Sequence, residues 1–174
     1  MVNKTKEVRI VPYDPAWKTA FESIRAELEQ HIGDLVIAIE HVGSTSVEGL
    51  GAKPIIDIDV VMDSYEVFPA IAERLGKAGF RHEGNLGVEG REAFKRTYED
   101  GFMAYHLYVC PKDGRGYLEH IAFRDYLRAH PAARERYQRL KEDLAAEFRY
   151  DRDTYCEKKT GFVRDILNKT LYKE

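Results

Sequence analysis

The stretch HVGSTSVEGLGAKPIIDIDV, residues 41–60, decides how this chain is read. Asp57 and Asp59 stand two positions apart among Ile55, Ile56, Ile58, Val60 and Val61. A run so rich in β-branched residues predicts a strand, and alternate residues of a strand point to the same side. The two carboxylates therefore share a face, while their neighbours make the strand apolar enough to lie inside a sheet. Two like charges side by side repel, and partial burial adds a desolvation cost. A hard divalent cation with oxygen ligands would offset both. An exposed sheet face with lysine or arginine partners would do so too. Upstream, VIAIEHV (36–42) reads as a strand ending at Gly43-Ser44. A strand end there leaves backbone N–H groups free, and the small residues let a phosphate approach closely. Ser44, Thr45 and Ser46 add hydroxyls and Lys53 a positive charge. The same four residues are also an ordinary polar turn composition, and the Walker A spacing GxxxxGK[ST] is absent.

Outward from this stretch, strands and helices alternate up to about residue 113. Asp14 and Pro15 suit the start of a helix whose Trp17, Phe21, Ile24 and Leu28 recur at helical spacing. PIIDIDVVM (54–62) is the strand that bears the carboxylates, a helix is expected over 66–78 before Gly79, and 80–83 reads as a short strand. REAFKRTYE (91–99) and FMAYHLYVC (102–110) flank Asp100-Gly101, a hairpin signal. That turn sets Lys95 opposite His106, Phe94 opposite Leu107 and Ala93 opposite Tyr108. Phe94, Tyr98, Met103, Leu107 and Val109 then form an apolar face, and Arg91, Lys95, Thr97, His106, Tyr108 and Cys110 a polar one. Glu99 and Asp100, at the turn, are expected to be exposed. Three helices follow, over 117–129 with Leu118, Ile121 and Leu127 as its apolar stripe, 131–148 opened by Pro131, and 154–171 capped by Asp151 or Asp153. The expected domain is one unit over 1–174, with a sheet-bearing core (1–113) and a helical part (114–174).

The 27 basic and 30 acidic residues balance to a net charge of −3, which argues against non-specific binding to duplex nucleic acid. A local basic pocket for a small phosphorylated ligand remains compatible with that balance. No run approaches the ~20 apolar residues of a membrane span, and the N-terminus lacks the apolar core of a signal peptide. Cys110 and Cys156 sit in no metal-ligand spacing and make no disulfide framework. A cytoplasmic protein is expected.

Gly43-Ser44, twelve residues, then Asp-Ile-Asp-Val is more restrictive than either half alone. It resembles the signature of the polymerase-β-like nucleotidyltransferase superfamily, in which a Gly-Ser loop holds nucleotide phosphate and an Asp-x-Asp strand holds Mg²⁺. VPYDPAW, HVGSTSVEGL, AKPIIDIDV, HLYVC, FRDYLRAHP and YCEKKTGFV resemble, in this order, the motifs of the GrpB family of uncharacterised proteins. That family is placed in the same fold and also occurs as a domain attached to some bacterial dephospho-coenzyme A kinases. The resemblance implies an α/β (α+β) fold: a mixed, largely antiparallel sheet of about five strands flanked by helices, with a C-terminal helical part. It implies a metal-dependent nucleotidyl- or phosphoryl-transferase using a nucleoside triphosphate, or a non-catalytic nucleotide- or coenzyme-binding module of the same fold. Gly43, Ser44, Thr45, Ser46 and Lys53 would bind the phosphates. Asp57, Asp59 and His106 would hold the ion, and Lys95 and His106 would neutralise charge or move a proton. Arg124, Arg128 and Lys159, within the helical motifs, would complete an anion pocket. One departure is evident: the superfamily's third carboxylate is missing, and His106-x-Tyr108 stands where the GrpB pattern commonly has His-x-His. Imidazole binds Mg²⁺ poorly and Mn²⁺, Zn²⁺ or Fe well. Either the ion differs, or His106 is a general base or phosphate contact, or the usual transfer is lost.

Overall fold

The computed structural model describes residues 7–173. Its strands are β1 (Ala38–Val42), β2 (Ile56–Met62), β3 (Phe80–His82), β4 (Glu92–Arg96) and β5 (Tyr105–Pro111). They form one sheet in the order β1-β2-β5-β4-β3. β2 and β5 are parallel and every other neighbouring pair is antiparallel. This is the mixed, mostly antiparallel α+β sheet that the sequence led us to expect.

Helices α1 (Ala16–Ile32) and α2 (Phe68–Lys77) cover one face. Asp14 Oδ1 accepts the Ala16 N–H at 2.9 Å, and Trp17, Phe21, Ile24 and Leu28 are all buried. They meet Ile56, Ile58 and Val60 of β2, Leu107 and Val109 of β5, and Ile71 and Leu75 of α2 in one apolar core. Burying each such side chain stabilises the fold by roughly 1.5–3 kcal/mol. The opposite face of the sheet meets α3 (Arg115–Ala129), which packs against α4 (Pro131–Glu147) and α5 (Arg152–Thr170). Asp151, the first of the two candidate caps, accepts the Thr154 N–H at 3.1 Å. Val47 and Leu50, just after the Gly-Ser turn, join Leu127, Tyr137 and Ile166 of the helical part in a second cluster. Among the described residues, no helix is long and apolar enough to cross a membrane.

The hairpin register is as expected for Phe94 opposite Leu107 and Ala93 opposite Tyr108. The tight turn is not formed. β4 ends at Arg96 and β5 begins at Tyr105, because each arm stays with its outer neighbour: Thr97 N donates to Gly79 O (2.8 Å), and Ile56 N to Ala104 O (2.9 Å). Alternation therefore stops before Tyr98, which is 55% exposed and takes a hydrogen bond from Arg96 instead of joining the core. Asp100 is shielded, not exposed. Its carboxylate accepts from Tyr105 Oη at 2.6 Å and pairs with Arg96 at 3.3 Å. Two further assignments change. Cys110 is fully buried although it alternates with the polar residues, and Leu118 is exposed because α3 turns a polar stripe to the sheet.

Candidate functional site

Between β1 and β2, Ser44–Ser46 form one turn of 3-10 helix. Gly43 enters it at φ +74°, a backbone region that glycine reaches without steric cost. A side chain is excluded there by contact as well, since a Cβ on Gly43 would lie 2.3 Å from Asp57 Oδ2. The loop and the first carboxylate are thus pressed together. Ser46 Oγ donates to Gly43 O (2.5 Å) and Thr45 Oγ1 to Ile55 O (3.2 Å). His41 Nε2 donates to Thr45 Oγ1 at 2.9 Å, and burial pushes this imidazole down to about 4, so it is neutral at pH 7. The Thr45 and Ser46 hydroxyls are buried and hold the turn's own shape. Ser44 is only half-buried and lies beside Tyr137: burial pushes that phenol up, and the Ser44 hydroxyl acts in the other direction.

The parallel pairing of β2 with β5 sets Asp57 beside His106 and Asp59 beside Tyr108. His106 Nδ1 donates to Asp57 Oδ1 at 2.9 Å. Asp59 is fully buried, and its Oδ2 accepts from His120 Nδ1 at 2.7 Å. His120, on α3, is absent from the sequence reading. Its signal is the polar stripe His120, Arg124, Arg128, repeating every four residues of the helix. Burial lowers the His120 pKa, but the hydrogen bond and charge of Asp59 outweigh it and raise the pKa overall. Arg91 stacks over the Tyr108 ring with 4.3 Å to its centroid, and burial pushes the Tyr108 phenol up.

Asp59 Oδ1 is buried with no hydrogen-bond partner. An orphaned carboxylate oxygen beside a second carboxylate suits an oxygen-seeking divalent ion. Among the described residues, no three His, Cys, Asp or Glu side chains are disposed to hold one ion. Each imidazole lies against a different carboxylate. The donor chemistry of the Asp pair fits a cation, and His106 is engaged with Asp57 rather than completing a three-residue cage.

Three lysines gather on the same side. Lys53 Nζ lies 5.2 Å and Lys159 Nζ 4.4 Å from the centre of the Tyr155 ring, and Lys141 Nζ 5.0 Å from that of Tyr137. Lys141 is 2% exposed, and its ammonium donates to Gly51 O. Among the described residues, none of the three makes an ion pair with a carboxylate within 4.0 Å. Burial and mutual repulsion push Lys141 down to about 7 and Lys159 to about 8, and burial lowers Lys53. Asp57 acts on both Lys53 and Lys159 in the opposite sense. The buried Tyr155 hydroxyl has no partner. Lys141, Tyr137 and Tyr155 carry no local motif, and a lysine on a charged helix reads as solvated surface, so spacing alone does not mark them as site residues.

The remaining candidates lie elsewhere. Lys95 does not pair with His106 as expected: the β4–β5 ladder stops at Phe94–Leu107, and Lys95 sits opposite Arg81 of β3, its side chain exposed and without a hydrogen bond or ion pair among the described residues. Arg124 is tied to Glu40 at 2.8 Å and to His41 O at 3.0 Å. Arg128 donates twice to Ser46 O, at 3.1 and 2.7 Å. Lys159 and the two arginines therefore do not share one pocket: the lysine belongs with Lys53, and the arginines with the outer side of β1.

Residues 7–169 match the GrpB protein family. The chain belongs to the GrpB family. It is 38% identical over 170 residues to the Glutamate-rich protein GrpB of Alkalihalophilus pseudofirmus, covering 96% of this chain and 97% of that one. It is 28% identical over 158 residues to a dephospho-CoA kinase of Mycobacterium bovis, spanning 78% of this family member and 39% of the kinase. Among solved structures, the conserved protein GrpB from Enterococcus faecalis matches with a TM-score of 0.80 at 31% identity, over 92% of this chain and 96% of that one. The Cid1 poly(U) polymerase with MgGTP bound matches with a TM-score of 0.50 at 17% identity, over 76% of this chain and 42% of that one. The second structural likeness shows that this family member has a nucleotidyltransferase-like fold.

Proposed function

We propose that this protein binds a nucleoside triphosphate at the Gly43–Ser44 turn and transfers a nucleotidyl or phosphoryl group to a small acceptor. The observation that carries this reading is the set of buried Lys141 and half-buried Lys53 and Lys159, which make no ion pair among the described residues, with Asp57 acting on Lys53 and Lys159. Uncompensated buried charge is costly, and a polyphosphate would relieve it. Ser44 and the N–H groups of its turn hold a terminal phosphate, while Lys53 and Lys159 neutralise its charge. Asp57 and Asp59 are the residues that would hold a divalent ion, Mg²⁺ or Mn²⁺, which when bound supplies charge neutralisation across the phosphates. As the acceptor oxygen bonds to phosphorus and the bond to the leaving phosphate breaks, His106 takes the acceptor's proton, oriented by its hydrogen bond to Asp57.

One observation favours the second reading, a binding module without turnover. His106 and His120 already satisfy one oxygen of each carboxylate. A thermal-shift screen of nucleoside triphosphates and coenzyme A precursors, with and without Mg²⁺ or Mn²⁺, separates the two when paired with an assay for released pyrophosphate or nucleoside diphosphate. Ligand saturation at a hundred times Kd stabilises by roughly 2.7 kcal/mol. Metal-dependent release that is lost in D57N supports transfer. Stabilisation without release selects the binding module, and stabilisation by none of the nucleotides or coenzyme A precursors overturns both.

A further inference from the structure

Outside the lysine site, a cavity of about 800 Å³ opens along the free edge of β1, between α1 and the start of α4. That volume lies in the range of small-molecule sites. Its floor is the His41 ring stacked on Phe21, with centroids 4.7 Å apart and planes at 16°, and Tyr13 forms part of its wall. The neutral His41 keeps this floor uncharged.

The rim is cationic. Arg25 is paired with Glu22 (2.7 Å) and Glu29 (3.2 Å), and Arg124 with Glu40 (2.8 Å) and Asp125 (3.0 Å). Lys18, Arg128 and Arg134 are left facing the one remaining acid, Glu48. Arg128 spends Nε and Nη2 on the Ser46 carbonyl, which fixes the guanidinium without neutralising it. The Arg134 guanidinium has no hydrogen bond or ion pair among the described residues, and it reaches the Gly49 backbone at the cavity mouth. Among the described residues, Lys18, Arg128 and Arg134 make no ion pair within 4.0 Å, on a rim whose wall and floor carry aromatic rings.

We propose that this cavity is a second anion site that takes a phosphate monoester with an apolar or aromatic body. The dianion matches the unpaired charge, guanidinium groups match phosphate geometry, and the ring floor suits a planar group. A monocarboxylate offers these three unpaired cations half the charge and one oxygen fewer. The site is separate from the lysine cluster, with the 43–46 turn between them: Ser44 faces Tyr137 on one side, and Thr45 and Ser46 line the cavity on the other. It does not depend on the transferase reading.

Phenyl phosphate titrated into the ¹⁵N-labelled protein tests this. Saturable shifts are expected at the Glu48 and Gly49 amides. They should persist within two-fold in affinity in K53Q/K159Q and weaken at least ten-fold in R134Q, where the lost guanidinium supports no other contact. Benzoate should bind at least ten-fold more weakly. No shift at these amides overturns the proposal, as do shifts that survive R134Q or that vanish in K53Q/K159Q. Equal binding of benzoate overturns the dianion assignment. Loss of transfer activity in D57N, with phenyl phosphate binding intact, would bear on the lysine site alone.

Discussion

Strand β2 presents two faces that the same seven residues built to opposite ends. Ile56, Ile58 and Val60 enter the apolar core with Phe21, Leu28, Leu75 and Leu107. Asp57 and Asp59, alternating with them, face imidazoles, an orphaned carboxylate oxygen and lysines without carboxylate partners. The first face is arranged for stability alone. The second holds groups whose costs are not offset within the chain, which is the pattern expected where a ligand supplies the missing interactions.

The sharpest test of this contrast is to compare truncation on the two faces. Ile58→Ala should destabilise by about 2–5 kcal/mol in urea unfolding, since it opens a cavity in a filled core. A loss below about 1 kcal/mol would mean that this face is not the packed one.

Gly43→Ala joins both sides of the contrast, because the added methyl meets Asp57 Oδ2 and the residue must stay at φ +74°. We expect a cost of about 2 kcal/mol from backbone strain and contact together. Part of it should be recovered in the double variant with Asp57→Ala, where the carboxylate contact is gone while the strain and the 3.1 Å approach to the Cβ of residue 57 remain. Purely additive effects would show that loop and carboxylate are independent.

The lysine cluster gives a pH signature. Lys141 is pushed down to about 7, against 10.5 for the free side chain. Between these values the unfolded chain holds a proton that the folded chain lacks, so stability rises with pH. The desolvation cost is fully present below pH 7. From pH 7 to 8.5 the ligand-free protein should gain on the order of 1 kcal/mol per pH unit from this group, a slope that Lys141→Met removes. An unchanged slope in the variant would place the titration elsewhere. Saturating polyphosphate should flatten the same slope by holding the lysines charged.

The smallest effect on folding is expected for Asp59→Asn. The amide oxygen can still accept from His120, and the buried charge is gone, so stability should change by less than about 1 kcal/mol or rise. Stabilisation by Mn²⁺ with a nucleoside triphosphate should be lost in the same variant. A loss of several kcal/mol on folding would make Asp59 a structural residue and erase the distinction between the faces.

Much of this was legible in one dimension. Periodicity located α1, the carboxylate strand and the hairpin register, because a side chain's face follows from spacing alone once the element is known. Gly43, Ser44 and Asp57 were recognisable as one constellation because they lie within fifteen residues of each other. What the sequence could not show was which distant side chains meet them. His120 reaches Asp59 across 61 residues, and Lys141 reaches Gly51 across 90. Spacing along a helix says which face a residue shares, but not what that face is laid against. Lys141 and Tyr155 read as core or surface until α4 and α5 are docked beside the Gly-Ser turn. Arg128 and Lys159 read as one anion pocket until the fold puts them on different sides of it. Local pattern determined the elements and the carboxylate pair; the docking of the helices determined which charges are left without partners.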